Sequence, residues 1–277
     1  MTRKFSGVVV DPGHGGLDPA KALQVASDWP PMMVGFYGEK GHAVFDPQGD
    51  SYTTPGKRYI HDPSGFTYYE GVGNRVQASL LTAMLRGLRV RVFSTLHADE
   101  ITSDGLGWPK NWLDGSWWPH RDVSLADRVA YANEVHARMI RDTGAGVLTV
   151  SLHGNAIGKV IRGPSQSPRG VSVFTSVGQT SSDPVADSVW RSFKDREGEP
   201  YCLRARTPDW SDGDADHEAA FYVLRKTHGS AILTEAGFFT NLEDAKIMAT
   251  HAGANAIATS IFLGIRGFLS PGAFGAA

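Results

Sequence analysis

Asp11-Pro-Gly-His-Gly-Gly16 sets a histidine among glycines, directly after the β-branched run Val8-Val9-Val10. Such a loop suits a phosphate cradle or a metal site. A Walker loop needs Lys and Ser or Thr after its last glycine, where this chain has Leu17 and Asp18. A dinucleotide loop needs Gly-x-Gly-x-x-Gly, and Gly13-His14-Gly15-Gly16 does not supply it. Both phosphate readings fail on spacing. The glycines instead let the backbone turn sharply at the carboxyl end of a strand and leave His14 unshielded.

A metal needs further ligands. His153 closes the apolar stretch Gly-Val-Leu-Thr-Val-Ser-Leu-His, and in a strand Ser151 and His153 point to the same face. Glu70 stands just before the first long helical pattern, and Glu235 lies in Ala-Ile-Leu-Thr-Glu-Ala-Gly-Phe-Phe. In a parallel sheet the carboxyl ends of strands converge on one edge. Two histidines and one glutamate around a tetrahedral zinc, with water as the fourth ligand, form a known catalytic set. A further glutamate in an apolar surround suits proton transfer from that water. The plainer alternatives are that Glu70 complements a helix dipole and that Glu235 belongs to a buried structural ion pair.

The remaining histidines carry weaker signals. His42, His61, His97, His120, His228 and His251 read as surface or loop residues. His217, in Asp-Gly-Asp-Ala-Asp-His-Glu-Ala-Ala, is the best placed of the others to approach a cleft. Trp108, Trp112, Trp117 and Trp118 either form a sugar-stacking lid or, the favoured reading, pack their loop against the domain. No nucleophile elbow and no Ser-His-Asp pattern is present.

The elements that must position these residues alternate. Strands are predicted at Gly7 to Asp11, Arg89 to Thr95, Gly146 to His153, Gly170 to Ser176 and Ser230 to Phe238. Helices are predicted over Gly71 to Gly87, after an N-cap at Ser124, from Pro184 to Asp195, over Asp216 to Thr227, after a cap at Asn241, and from His251 to Phe268. This order points to an α/β fold, a three-layer αβα domain with a mostly parallel sheet. Long loop insertions interrupt it at about 17–69 and 99–122. Residues 1–269 read as a single catalytic domain and 270–277 as a frayed C-terminal tail.

Composition bounds the class. The 277 residues carry 27 basic and 29 acidic side chains, 41% are hydrophobic and 20% charged, so the chain reads as globular. A net charge of −2 gives no bulk footprint for nucleic acid. The single cysteine, Cys202, excludes an internal disulfide and a thiolate cluster and reads as a small buried hydrophobe. The first residues show neither an apolar h-region nor a small-residue cleavage site, so no signal peptide is expected and synthesis is expected to be cytoplasmic. No apolar run approaches the roughly 18 residues of a membrane span, so no membrane insertion is expected.

Five stretches resemble, in order, the signatures of zinc-dependent N-acetylmuramoyl-L-alanine amidases of the Amidase_3 type. They are VVVDPGHGG, YEGVGNRVQASLLTAML, VSLADRVAYAN, LTVSLHGNA and ILTEAGFFTNLEDAKIM. The resemblance spans nearly the whole chain. It implies an α/β hydrolase, of phage-lysin or bacterial-autolysin kind, acting on peptidoglycan at the amide between N-acetylmuramic acid and L-alanine. It also implies one Zn2+ held by His14, Glu70 and His153, with Glu235 as the catalytic glutamate, and it includes Asn74. Compact members carry the glutamate close behind the first histidine, whereas here a long insertion intervenes. Glu39-Lys40 resembles the family's Glu-Lys pair, but Gly41, His42 and Pro47 do not build a helix after it, whereas Gly71 to Leu88 does. Other readings are a zinc peptidase or carboxypeptidase acting on stem peptides and a non-catalytic peptidoglycan-binding phage component. In the lysin reading another factor releases the enzyme to the wall. Oligomeric state and peptidoglycan chemotype stay open.

Overall fold

The computed structural model describes residues 5–14, 58–95, 124–158, 162–210 and 213–270. Glu39, His42, His97, His120 and the four tryptophans from Trp108 to Trp118 lie outside the described residues.

The chain builds strands β1 (Gly7–Pro12), β2 (Arg58–His61), β3 (Phe66–Tyr69), β4 (Arg91–Ser94), β5 (Val147–Asn155), β6 (Arg162–Gly163), β7 (Val171–Thr175), β8 (His217–Glu218) and β9 (Ala231–Phe238). Its helices are α1 (Glu70–Gly87), α2 (Leu125–Thr143), α3 (Asp183–Asp195), α4 (Tyr222–Lys226), α5 (Leu242–Met248) and α6 (His251–Ile265). The main sheet has six strands in the order β4-β1-β5-β9-β7-β8. All pairings in it are parallel except β7 with β9. The predicted α/β architecture with a mostly parallel sheet is therefore the observed one.

Period-two alternation divides the sheet between two cores. Val8 and Val10 of β1, Leu148, Val150 and Leu152 of β5, and Ile232 and Ala236 of β9 enter the large core with residues of α1, α3 and α6. Val9 and Val147 turn to the other face, against Tyr131, Val135 and Met139 of α2. Ala231 and Leu233 share that face with Val223 and Leu224 of α4. The odd-numbered positions near the ends of β1, β5 and β9, namely Asp11, Ser151, His153 and Glu235, thus belong to the α2 face. Local signals act as the sequence implies. Ser124 accepts from the Asp127 amide at 3.1 Å, and Asn241 accepts from the Glu243 and Asp244 amides at 3.0 and 3.2 Å.

Four expectations need correction. The end of the first insertion is not loop: residues 58–69 form the β2–β3 hairpin, which joins β6 in a three-stranded sheet. His61, on β2, is buried rather than at the surface. Its Nε2 lies 3.0 Å from the Phe239 carbonyl oxygen, and burial pushes its pKa down. The helix over Asp216 to Thr227 shrinks to Tyr222–Lys226, because His217 and Glu218 satisfy the open edge of β7 by pairing with Phe174 and Thr175. Cys202 is half-buried, not a core residue.

Asp216 is buried beneath that edge and accepts from Thr175 Oγ1 at 2.6 Å. Burial, and then the neighbouring Asp214 carboxyl, raise its pKa to about 8. The value in an unfolded chain is about 3.9, so this group stabilises the fold fully below that pH. The contribution is lost as pH rises through about 8. Asp216→Asn, which keeps an acceptor for Thr175, is expected to flatten the fall in melting temperature between pH 5 and 9, each an approximate bound set by those values. Calorimetric melts across that range check it.

Candidate metal centre

Three side chains from three elements meet at the carboxyl edge of the main sheet. His14 follows β1, with φ 63°, a left-handed conformation that few side chains adopt. His153 sits near the end of β5, just before a register shift between His153 and Asn155. Glu70 is the first residue of α1, where the helix dipole favours negative charge. His14 Nε2 lies 3.1 Å from Glu70 Oε2, and His153 Nδ1 lies 3.1 Å from Glu70 Oε1. The two rings stand nearly perpendicular at 86°, their centroids 5.0 Å apart. One donor atom from each residue falls within 4.8 Å of the others. Gly13 is required: a Cβ there would overlap the His153 imidazole.

The electrostatics suit a cation. Glu70 is only 2% exposed, and a buried carboxylate needs a counter-charge. Among the described residues its partners are the two imidazoles and the Gly154 amide, which donates at 3.1 Å. Burial alone would raise the Glu70 carboxyl, but His14 and then His153 outweigh it and hold it well below the ordinary range. Burial would lower His153, yet Glu70 raises it overall. Two imidazoles around an ionised carboxylate are the donor set that zinc takes in hydrolases, so the residues fit that ion.

Glu235 pairs in register with His153 on one side and with Ser172 on the other. Its Oε2 is buried without a hydrogen-bond partner among the described residues. Burial raises its pKa to about 8; His153 opposes that rise and Glu70 adds to it. The structure therefore brings together all four residues singled out from sequence. It does not bring His217 there. That residue lies on β8, three strands from β5, which is roughly 14 Å at the usual strand spacing.

Of the residues that hold the His14 loop, the sequence singled out only Asn74 and missed Asp11, Arg75 and Arg128. Asp11, 1% exposed, accepts from Thr95 Oγ1 at 2.5 Å, Ser151 Oγ at 2.7 Å and Arg128 Nη1 at 2.7 Å. Burial would raise the Asp11 carboxyl, and Arg128 with the two hydroxyls pulls it below its ordinary value. Arg128 Nη1 also donates to the Pro12 carbonyl at 2.7 Å and Nη2 to the His14 carbonyl at 3.1 Å. Arg75 Nη1 donates to the same His14 carbonyl at 2.9 Å, and Asn74 Nδ2 to the Gly13 carbonyl at 3.1 Å. Three successive carbonyls are thus pinned by side chains from α1 and α2. The available signal was that Asp11, Asn74, Arg75 and Arg128 all lie inside the stretches that carry the resemblance.

Residues 8–267 match the Amidase_3 family, described as N-acetylmuramoyl-L-alanine amidase. The chain belongs to that family. It is an N-acetylmuramoyl-L-alanine amidase, an enzyme that hydrolyses peptidoglycan. No curated protein sequence matches it. Solved structures share the fold at low identity. An N-acetylmuramoyl-L-alanine amidase from Clostridium difficile 630 is 19% identical, with TM-score 0.57 over 96% of this chain and 97% of that one. The catalytic domain of CwlV from Bacillus (Paenibacillus) polymyxa var. colistinus is 18% identical, with TM-score 0.54 over 95% and 98%. Ami1 from Mycobacterium smegmatis is 17% identical, with TM-score 0.54 over 96% and 98%.

In this amidase, Arg128→Met leaves Asp11 as an uncompensated buried charge. The expected loss is about 3–5 kcal/mol of unfolding free energy. Adding Asp11→Asn is expected to recover much of it. Urea titrations of the single and double variants check both.

Proposed function

We propose that the amidase is zinc-dependent, with His14, Glu70 and His153 as the ligands and Glu235 as the general base and acid. The single observation that carries this reading is the buried Glu70 carboxylate held between two imidazoles, with a second carboxyl, Glu235, in the neighbouring strand. Zinc bound there would polarise the scissile carbonyl and bring the pKa of water towards neutrality.

The chain's own residues then divide the work. Arg75, Arg128 and Asn74 fix the backbone that carries His14, so the ligand set needs little rearrangement on loading. Glu235 Oε2, free of hydrogen bonds among the described residues, takes the proton of the attacking water. A cation beside it would bring its raised pKa back down, into the range of a base at neutral pH. The same oxygen returns the proton to the alanine nitrogen as the C–N bond breaks, so that the amine departs neutral and the muramoyl lactyl group is left as a carboxylic acid, which loses its remaining proton to solvent. We also propose that residues 1–269 work as one catalytic unit, which the family match over 8–267 supports. The site of action is the cell wall, where the enzyme works as a lysin or autolysin; no helix among the described residues is long and apolar enough to cross a membrane.

Mass spectrometry of sacculi digested with and without chelator tests the reading. Intact stem peptides beginning at L-alanine are expected without chelator, and none with it. Peptide fragments cut within the stem would instead identify a peptidase. Elemental analysis is expected to find one zinc per chain, and Glu70→Ala is expected to abolish it. Glu235→Gln keeps shape and removes the base, so turnover is expected to fall by about 10²–10⁴-fold. Zinc content in that variant is expected to match wild type; its loss would make Glu235 a ligand.

A further inference from the structure

A second recess opens at the same sheet edge as the metal centre. Its volume is about 500 Å³, and its walls carry four cations, Arg169, Lys194, Arg204 and Arg206, against one acid, Glu197. Two of the cations are already matched. Arg169 reaches Glu243 at 2.5 Å and Asp244 at 3.2 Å, and Lys194 reaches Glu197 at 2.7 Å. Both Glu197 oxygens are engaged, the second by the Ala205 amide at 2.9 Å. Arg204 and Arg206 have no carboxylate in ion-pair reach among the described residues. The recess therefore holds two guanidiniums, Arg204 and Arg206, without an ion-pair partner among the described residues.

The register places Arg204 and Arg206 beside the reaction. β7 runs antiparallel to β9, so the start of β7 lies next to the end of β9, with Ser172 opposite Glu235 and Val171 opposite Ala236. Residues 204–206 run along the start of β7: the Val171 amide donates to the Arg204 carbonyl, and the Arg206 amide to the Val171 carbonyl, each at 2.9 Å. The Arg206 guanidinium sits 4.9 Å over the ring of Phe238, three residues beyond Glu235 in β9, which fixes its plane. By strand geometry Phe238, under the Arg206 guanidinium, lies roughly 10 Å along β9 from Glu235, about three residues of extended peptide.

The geometry points to this recess as the subsite for a carboxylate of the substrate's peptide stem. The inference rests on the amidase reading. The scissile amide joins a sugar acid to a peptide, and only the peptide side continues as an extended chain bearing free carboxylates. Guanidiniums lining a recess recognise carboxylate or phosphate by planar, charge-assisted hydrogen bonds. Distance favours the stem carboxylate over a phosphate polymer of the wall, because three extended residues bridge the gap to the scissile bond. Arg204 and Arg206 would then set which stems are cut, without touching the reacting atoms.

The test compares a muramoyl-pentapeptide with the same compound after its peptide carboxylates are converted to amides. Wild type is expected to show a KM about tenfold higher on the amidated compound, the scale of one charged hydrogen-bond pair. Arg206→Gln and the more exposed Arg204→Gln are expected to raise KM similarly on the acid form, with kcat little changed. Neither is expected to add a penalty on the amidated form. An equal loss on both forms would assign these residues a structural role and overturn the inference. So would unchanged kinetics in both variants. Inhibition by polyphosphate that disappears in the variants, with no discrimination between acid and amide, would reassign the recess to a phosphate polymer. If wild type cleaves neither compound, the amidase reading fails, and that outcome is distinct from any result on the recess.

Discussion

The Arg128–Asp11 pair, buried where β1 ends and α2 passes, is the contact on which the site depends. An ion pair taken out of water is weak support for stability unless further hydrogen bonds satisfy both partners. Here they do. Two hydroxyls donate to Asp11, and Arg128 donates to two backbone carbonyls of the His14 loop. The consequence is positional. β1, β5 and α2 are joined at one point, and the peptide that carries His14 hangs from that point. A left-handed conformation at a non-glycine residue costs free energy and persists only where its surroundings over-determine it. Arg128, Arg75 and Asn74 supply that determination.

From this anchor the chemistry follows by charge. Glu70 is desolvated almost completely, yet two imidazoles and a helix N-terminus favour its ionised form. Glu235, one strand away, has only His153 to offset its desolvation, Glu70 works against it, and its carboxyl is driven in the opposite direction. The environments thus push the pKa values of two neighbouring carboxyl groups apart, which is the contrast on which the proposed roles of Glu70 and Glu235 rest. The same sheet edge extends past β9 to the recess that Arg204 and Arg206 line.

Helix and strand types in this chain were legible because they rest on neighbours in sequence. Val8-Val9-Val10 alternates between two cores as a buried strand must, and Ser124 and Asn241 cap helices through bonds spanning two or three residues. Where a segment's partner was remote, the local reading failed. His217 and Glu218 lie in a stretch that scores as helix, and only the open edge of β7 turns them into a strand. His61 reads as a loop histidine until β6, about a hundred residues on, pairs with its strand and buries it.

The sequence by itself determined which residues could do chemistry and that each would stand at the end of an element. A histidine among glycines after β-branched residues, a second histidine after an apolar strand, and glutamates at a helix start and in an apolar strand are patterns of residue type and period. That these ends converge was an expectation of the parallel sheet; tertiary structure alone decided the geometry, with the Glu70 carboxylate 3.1 Å from each of the two imidazoles. It also decided what holds them there. Arg128 and Asp11 are 117 residues apart, and nothing in the local spacing of either marks the other. Their pairing arises only when α2 packs across the face of the sheet on which Asp11, Ser151 and His153 alternate, which brings the two charges within 2.7 Å of each other out of water.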